Sequence, residues 1–151
     1  MYRSQEEKEE YIAKILGLID EIRGSVDYVI VEGRRDRNAL LQLGIPENMV
    51  IPLSGNSLCE VVDLIRRKPA KNILILSDFD RHGSALFHNL SRAIEHVNIH
   101  NNTTLRYRLR KLLSRDVKEI EAIPKLLRRL GYVGSSLEQS STGESPIYSR
   151  E

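Results

Sequence analysis

Ile73-Leu74-Ile75-Leu76-Ser77-Asp78-Phe79-Asp80-Arg81-His82-Gly83 is the stretch on which the reading of this chain turns. Four consecutive large aliphatic side chains bounded by polar residues describe a short strand buried on both faces, as in parallel sheets covered by helices. Two carboxylates, Asp78 and Asp80, follow that strand two residues apart. Open α/β sheets receive their ligands outside the C-terminal ends of the strands. Two acids held there repel each other unless a positive group lies between them, and a divalent cation is the simplest such group. Tyr28-Val29-Ile30-Val31 has the same design and ends in Glu32-Gly33. Three carboxylates are therefore expected at the ends of two strands.

Outward from these two strands, apolar periodicity predicts the remaining elements. Ile12, Ile15, Leu16, Ile19 and Ile22 recur at helical spacing over residues 4–23, with Gly24 expected to end that helix. Gly33 opens a turn into a short helix over Asp36–Leu43, stopped by Gly44 and Pro46. Met49–Leu53 reads as a second strand. Ser57 and Glu60 have capping-box spacing ahead of a helix carrying Leu58, Val61, Val62 and Ile65. Asn72–Ser77 is the third strand, and Gly83 begins a helix with Leu86, Leu90, Ala93 and Ile94 on one side. Val97–Ile99 is the candidate fourth strand. Leu105, Leu109, Leu112 and Leu113 mark an arginine-rich helix, and Pro124–Leu130 a last one, with Gly131 beyond it. The Val117–Ile120 stretch is ambiguous.

Strands alternating with helices argue for an α/β fold, a compact and mostly parallel sheet of about four strands with helices on both faces. Residues 1–24 read as an N-terminal amphipathic helix able to dock a protein partner or form a homodimer. Residues 25–133 read as the α/β domain with a C-terminal helical extension, and the Ser-rich 134–151 as a disordered or lightly docked tail.

The chain has 151 residues, 40% hydrophobic and 29% charged, enough for one globular domain with its own core. Its net charge of +2 is too small to establish a polyanionic partner by itself. No apolar run approaches the ~20 residues of a membrane span, and the charged N-terminus lacks the apolar core of a signal peptide. Cys59 is the single cysteine and reads as a small helix residue near the core. These features favour a cytoplasmic protein with no membrane partner.

If the first and third strands are neighbours, Glu32, Asp78 and Asp80 converge. Such a cluster suits Mg²⁺, with Mn²⁺ able to substitute, since Mg²⁺ takes one or two carboxylates and keeps waters for a phosphate substrate. Glu32 is placed to act as general acid or base. Asp36 either faces the same cleft or favours the positive end of its helix.

Glu32-Gly33-Arg34-Arg35-Asp36 after one apolar strand, and Asp78-Phe79-Asp80-Arg81-His82-Gly83 after another, resemble the Toprim domain, and most closely the small stand-alone primase-like Toprim proteins. The resemblance spans roughly residues 26–101. It implies a Toprim/Rossmann-like fold in which Glu32 is the general acid or base and binds Mg²⁺ with Asp78 and Asp80. It adds Asp36 to the acidic site, as in the primase and ribonuclease varieties, and implies nuclease-like phosphoryl transfer on RNA or DNA. A further downstream acidic pair of the primases has no counterpart, because Asn98, Asn101 and Asn102 occupy that region, with Asp116, Glu119 and Glu121 as possible substitutes.

Other strand-Asp-x-Asp enzymes fit less well. A haloacid-dehalogenase-type phosphatase has Thr or Val where His82 stands, and a receiver domain needs a different order of acids. Neither a phosphate-binding Gly-x-x-x-x-Gly-Lys loop nor Gly-x-Gly-x-x-Gly occurs. Basic residues adjoin the motifs: Arg34, Arg35 and Arg37 beside the first, Arg81 and His82 within the second. Arg106, Arg108, Arg110, Lys111, Arg115 and Lys118 follow, then Lys125, Arg128 and Arg129. Arg34, Arg35, Arg106, Arg108, Arg110 and Lys111 are the expected nucleic-acid contacts, and Arg81 an expected catalytic group. Tyr107 reads as a buried or half-buried ring, and His88, His96 and His100 as surface residues. Phosphodiester cleavage is the expected activity. The alternative is a non-catalytic nucleic-acid-binding module of an RNA-processing or DNA-repair assembly.

Overall fold

In the computed structural model, which describes residues 3–68 and 72–134, four strands form one parallel sheet in the order β2-β1-β3-β4. They are β1 (Tyr28–Val31), β2 (Val50–Pro52), β3 (Asn72–Leu76) and β4 (His100–Asn101). The helices are α1 (Gln5–Ser25), α2 (Arg34–Gln42), α3 (Leu58–Arg67), α4 (Arg81–Ala93), α5 (Thr103–Leu113) and α6 (Ile123–Arg129), with 3-10 turns at Glu47–Met49 and Ile120–Ala122.

The pleat sorts the strand side chains by parity. Val29 and Val31 of β1, with Leu74 and Leu76 of β3, join a core shared with α1, α2, α5 and α6. Ile30, Ile73 and Ile75 point the other way and pack with Val61 and Ile65 of α3 and Leu90 of α4. Both faces are covered, so an uninterrupted aliphatic run is the right composition for β3. The apolar face of α1 (Tyr11, Ile15, Leu18, Ile19 and Ile22) is buried in the first of these cores. This face thus has its partner within the chain.

Local signals explain most boundaries. The Ser57 Oγ accepts from Glu60 N at 3.1 Å while Ser57 N donates to the Glu60 carboxylate at 2.7 Å, the capping box expected for α3. Ser4 and Glu7 make a second one at the start of α1. Gly24 does not end that helix, which continues to Ser25 and is closed by Val26 N donating to Ile22 O. The second helix starts at Arg34, earlier than expected, directly after Gly33. The fourth strand is His100–Asn101 and not Val97–Ile99. Val97 N and Ile99 N close tight turns onto Ile94 O and Val97 O, which leaves His100 and Asn101 to pair with Asn72 and Ile73. Cys59 is exposed on α3 and does not approach the core. Residues 135–151, which hold nearly all of the expected tail, lie outside the described residues.

Candidate functional site

The connections β1-α2-β2 and β3-α4-β4 leave the centre of the sheet in opposite directions, with α2 on one face and α4 on the other. Adjacent strands whose following helices diverge in this way open a crevice at their C-terminal ends. Strands β1 and β3 are that pair, in register with Val31 opposite Leu76. Glu32 follows β1, and Asp78 follows β3 after Ser77, so both carboxylates stand at the crevice. The Glu32 Oε2 accepts a hydrogen bond from Asp78 N at 2.8 Å.

Two more acids close in through helix starts. Asp36, 7% exposed at the first turn of α2, accepts from Gly33 N at 3.3 Å. Asp80 caps α4, its Oδ1 accepting from Gly83 N at 2.7 Å. Gly83 is required by packing. A Cβ at this position would lie 1.9 Å from Asp78 O, and the Gly83 carbonyl also accepts from Ser77 Oγ at 2.6 Å.

The third wall is the stretch with ambiguous periodicity. Phe79 N donates to Lys118 O at 2.7 Å, and Ile120 N donates to Asp78 Oδ1 at 2.9 Å. The Glu121 main chain lies near enough to favour the charged Asp36, and its carboxylate near enough to repel it. The turn after α5 thus brings a main-chain donor to Asp78 and an acceptor to the loop that carries it.

The electrostatics follow. Burial pushes the Asp78 carboxyl up from 3.8 to about 6, and the charges of Asp36, Glu32 and Asp80 push in the same direction against the Ile120 amide. Asp36 is raised as well, first by burial and then by Glu32 and Glu121. Four carboxylates therefore repel one another in one crevice, which is the condition a divalent cation relieves. The donor set fits a hard cation that takes one or two carboxylates and retains waters. Among the described residues no group of three or more His, Cys, Asp or Glu side chains is gathered tightly enough to chelate an ion. Glu32, Asp78 and Asp80 each accept a main-chain amide with one oxygen and keep the other.

Among the expected basic contacts, Arg34, Arg35 and Arg81 are exposed at the first turns of α2 and α4, beside the crevice. His82 Nε2 lies 3.9 Å from Glu32 Oε1. Arg110 and Lys111 are exposed on α5. Arg106 is a correction. It is 5% exposed, and its guanidinium donates to Ser77 O at 2.7 Å and to Asp78 O at 3.2 Å. It also lies 4.7 Å from the Phe87 ring centroid. It braces the loop that carries Asp78 and is not offered to a phosphate. Arg108 is exposed and engaged in a bidentate pair with Glu21 at 2.7 and 2.9 Å. Asp116 is bound by Arg3 and by the Tyr11 hydroxyl at 2.6 Å, so it does not supply the downstream acidic pair. Glu121 is the only one of those substitutes that the site electrostatics include. Tyr107 is 59% exposed, contrary to expectation, while His88, His96 and His100 are on the surface. A groove of about 600 Å³ between α1 and α5 shares no residue with the acids.

No protein-family model matches the chain. It is 36% identical over 112 residues to a UPF0292 protein of Thermococcus sibiricus, covering 74% of this chain and 86% of the relative. A UPF0292 protein of Methanosarcina barkeri is 29% identical over 136 residues, covering 87% of this chain and 92% of the relative. A solved structure of an Aquifex aeolicus protein superposes with a TM-score of 0.59 at 25% identity, over 76% of this chain and 96% of that one. No helix of the described residues is long and apolar enough to cross a membrane.

Proposed function

The chain belongs to the UPF0292 family, and from its acidic crevice we propose that it is a Mg²⁺-dependent phosphoryl-transfer enzyme that cleaves phosphodiester bonds in nucleic acid. One observation carries this reading: Glu32, Asp36, Asp78 and Asp80, drawn from two strand ends, meet where a doubly wound sheet binds its ligands. The resemblance of their two motifs to the Toprim domain supports it, as do the exposed Arg34, Arg35 and Arg81 on the rim.

Glu32, Asp78 and Asp80 would hold the ion after their side chains draw closer than they stand here. When bound, Mg²⁺ neutralises and orients the phosphate. Glu32 Oε1, the oxygen not engaged by the Asp78 amide, moves the proton of the attacking or leaving oxygen. Arg81 and His82, at the positive start of α4, stabilise the charge that develops on the phosphate. Arg106 orients the Asp78 loop from behind. Action in the cytoplasm, with RNA or DNA as partner, belongs to the same proposal.

The test is cleavage of labelled RNA and DNA with Mg²⁺ or Mn²⁺. Glu32→Gln should lower the rate by about 10²- to 10⁴-fold while binding persists. An equal rate for both proteins would overturn the assignment of Glu32. Absence of metal-stimulated cleavage by the wild type would overturn the activity itself. A second reading, a non-catalytic binding module, is favoured by the exposed cations Arg110 and Lys111 on α5, which binding needs and a metal site does not. It expects no metal-stimulated cleavage, and binding that weakens when Arg110 and Lys111 become Ala, with a shallower salt dependence.

A further inference from the structure

A second groove, of about 480 Å³, lies between the N-terminal half of α4 and α5, within the usual size range of ligand sites. Phe87, His88, Thr103, Arg106, Tyr107 and Arg110 line it, and no residue of its lining is a carboxylate. Tyr107 and Val133 are the exposed large hydrophobic residues among those described, and Tyr107 is 59% exposed. Its position on α5 is set by its neighbour: Arg106 is drawn inward to the Ser77 and Asp78 carbonyls, which turns the next side chain outward. Lys111 Nζ stands 5.9 Å from the Tyr107 ring centroid, and Arg110 and His88 are exposed beside it.

We infer that this groove is a single-strand subsite in which an unpaired base stacks on Tyr107 and the adjoining phosphates meet Arg110, Lys111 and His88. The inference rests on the crevice acting on nucleic acid, and it narrows the substrate to a strand with exposed base faces. An open aromatic ring flanked by cations, with no acid in the wall, is the arrangement by which proteins hold single strands without reading sequence. A duplex keeps its base faces stacked inside and offers nothing to the ring. The groove and the crevice share their frame. Arg106 floors the groove while its guanidinium holds the Asp78 loop, and Ser84, also in the groove wall, donates from its amide to Asp80 O at 2.9 Å. Arg106 thus joins the wall of the groove to the loop that carries Asp78.

The test is anisotropy of short fluorescein-labelled oligo-dT and oligo-U, and of duplexes of the same length, with EDTA present so that nothing is cleaved. Tyr107→Ala should weaken single-strand binding roughly 5- to 100-fold, Tyr107→Phe should restore it, and duplex binding should not change. Single-strand binding equal to wild type in Tyr107→Ala overturns the inference and leaves the ring as a contact for a protein. Equal weakening on duplexes overturns it too, as does a mononucleotide that competes as well as the oligomer at equal nucleotide concentration. Cleavage by wild type and Glu32→Gln is measured in parallel. Loss of the Tyr107 effect with cleavage intact removes only the subsite. A Tyr107 effect without cleavage removes only the catalytic reading.

Discussion

A guanidinium at 5% exposure is tolerated only when its hydrogens are engaged. Arg106 satisfies this with the Ser77 and Asp78 carbonyls and with the faces of Phe87 and Phe79, at 4.7 and 5.4 Å. Burial lowers its pKa to about 10, so it remains charged at neutral pH. Arg106→Met would leave two buried carbonyls without donors. It should destabilise the protein by about 2–4 kcal/mol in urea unfolding, and an unchanged midpoint would contradict the bracing role. Asp78 makes a pH prediction. Its folded pKa of about 6 exceeds the ordinary 3.8, so the fold favours the protonated form. The stability it contributes is fully present below about 3.8 and is lost as pH rises through 6. Asp36 shifts in the same direction and adds the same sign. With no divalent ion added, wild type should lose stability relative to Asp78→Asn between pH 4 and 7, by on the order of 1 kcal/mol once solvent screening is allowed for. Parallel pH profiles for the two proteins would remove the crowding of charge from the account.

At the scale of elements, α1 behaves as a layer of the domain. Ile15, Ile19 and Ile22 are each about 1% exposed or less and pack with Leu109, Leu113 and Leu127 in one core. Ile19→Ala should cost about 2–5 kcal/mol. A chain beginning at residue 25 should show no cooperative unfolding transition by circular dichroism, and a sharp transition there would restore α1 as an independent appendage. The turn over residues 117–122 works differently. Its contribution is main-chain hydrogen bonding, through Lys118 O and the Ile120 amide, to a loop some forty residues earlier in the chain. Side-chain periodicity does not record such contacts.

The whole molecule is a doubly wound sheet whose single switch point carries an excess of negative charge. A divalent cation that binds only the folded state should therefore stabilise it. At one hundred times the dissociation constant the gain is about 2.7 kcal/mol, a rise in Tm of roughly 5–10 °C for a domain of this size. Differential scanning calorimetry in Mg²⁺ or Mn²⁺ should show this rise for wild type and a much smaller one for Asp78→Asn. Equal shifts would mean that the cation binds elsewhere.

Much of this was legible in order along the chain. The aliphatic runs of β1 and β3, the helix between each strand and the next, the Ser57 capping box and the acids at two strand ends are local signals, because burial on both faces and helix capping leave period and spacing in the residues themselves. Their meeting was legible only as a condition, that β1 and β3 be neighbours, and strand order satisfies it. Arginine is different. Arg106 and Arg110 look alike in sequence, yet one faces two carbonyls beneath the sheet edge and the other faces solvent. The same holds for Tyr107, Cys59 and Asp116. The chain by itself determined which elements form and where carboxylates end them, through hydrophobic period and turn chemistry. Only the tertiary structure decided which charges are buried, because desolvation and long-range hydrogen bonding depend on neighbours that lie tens of residues away.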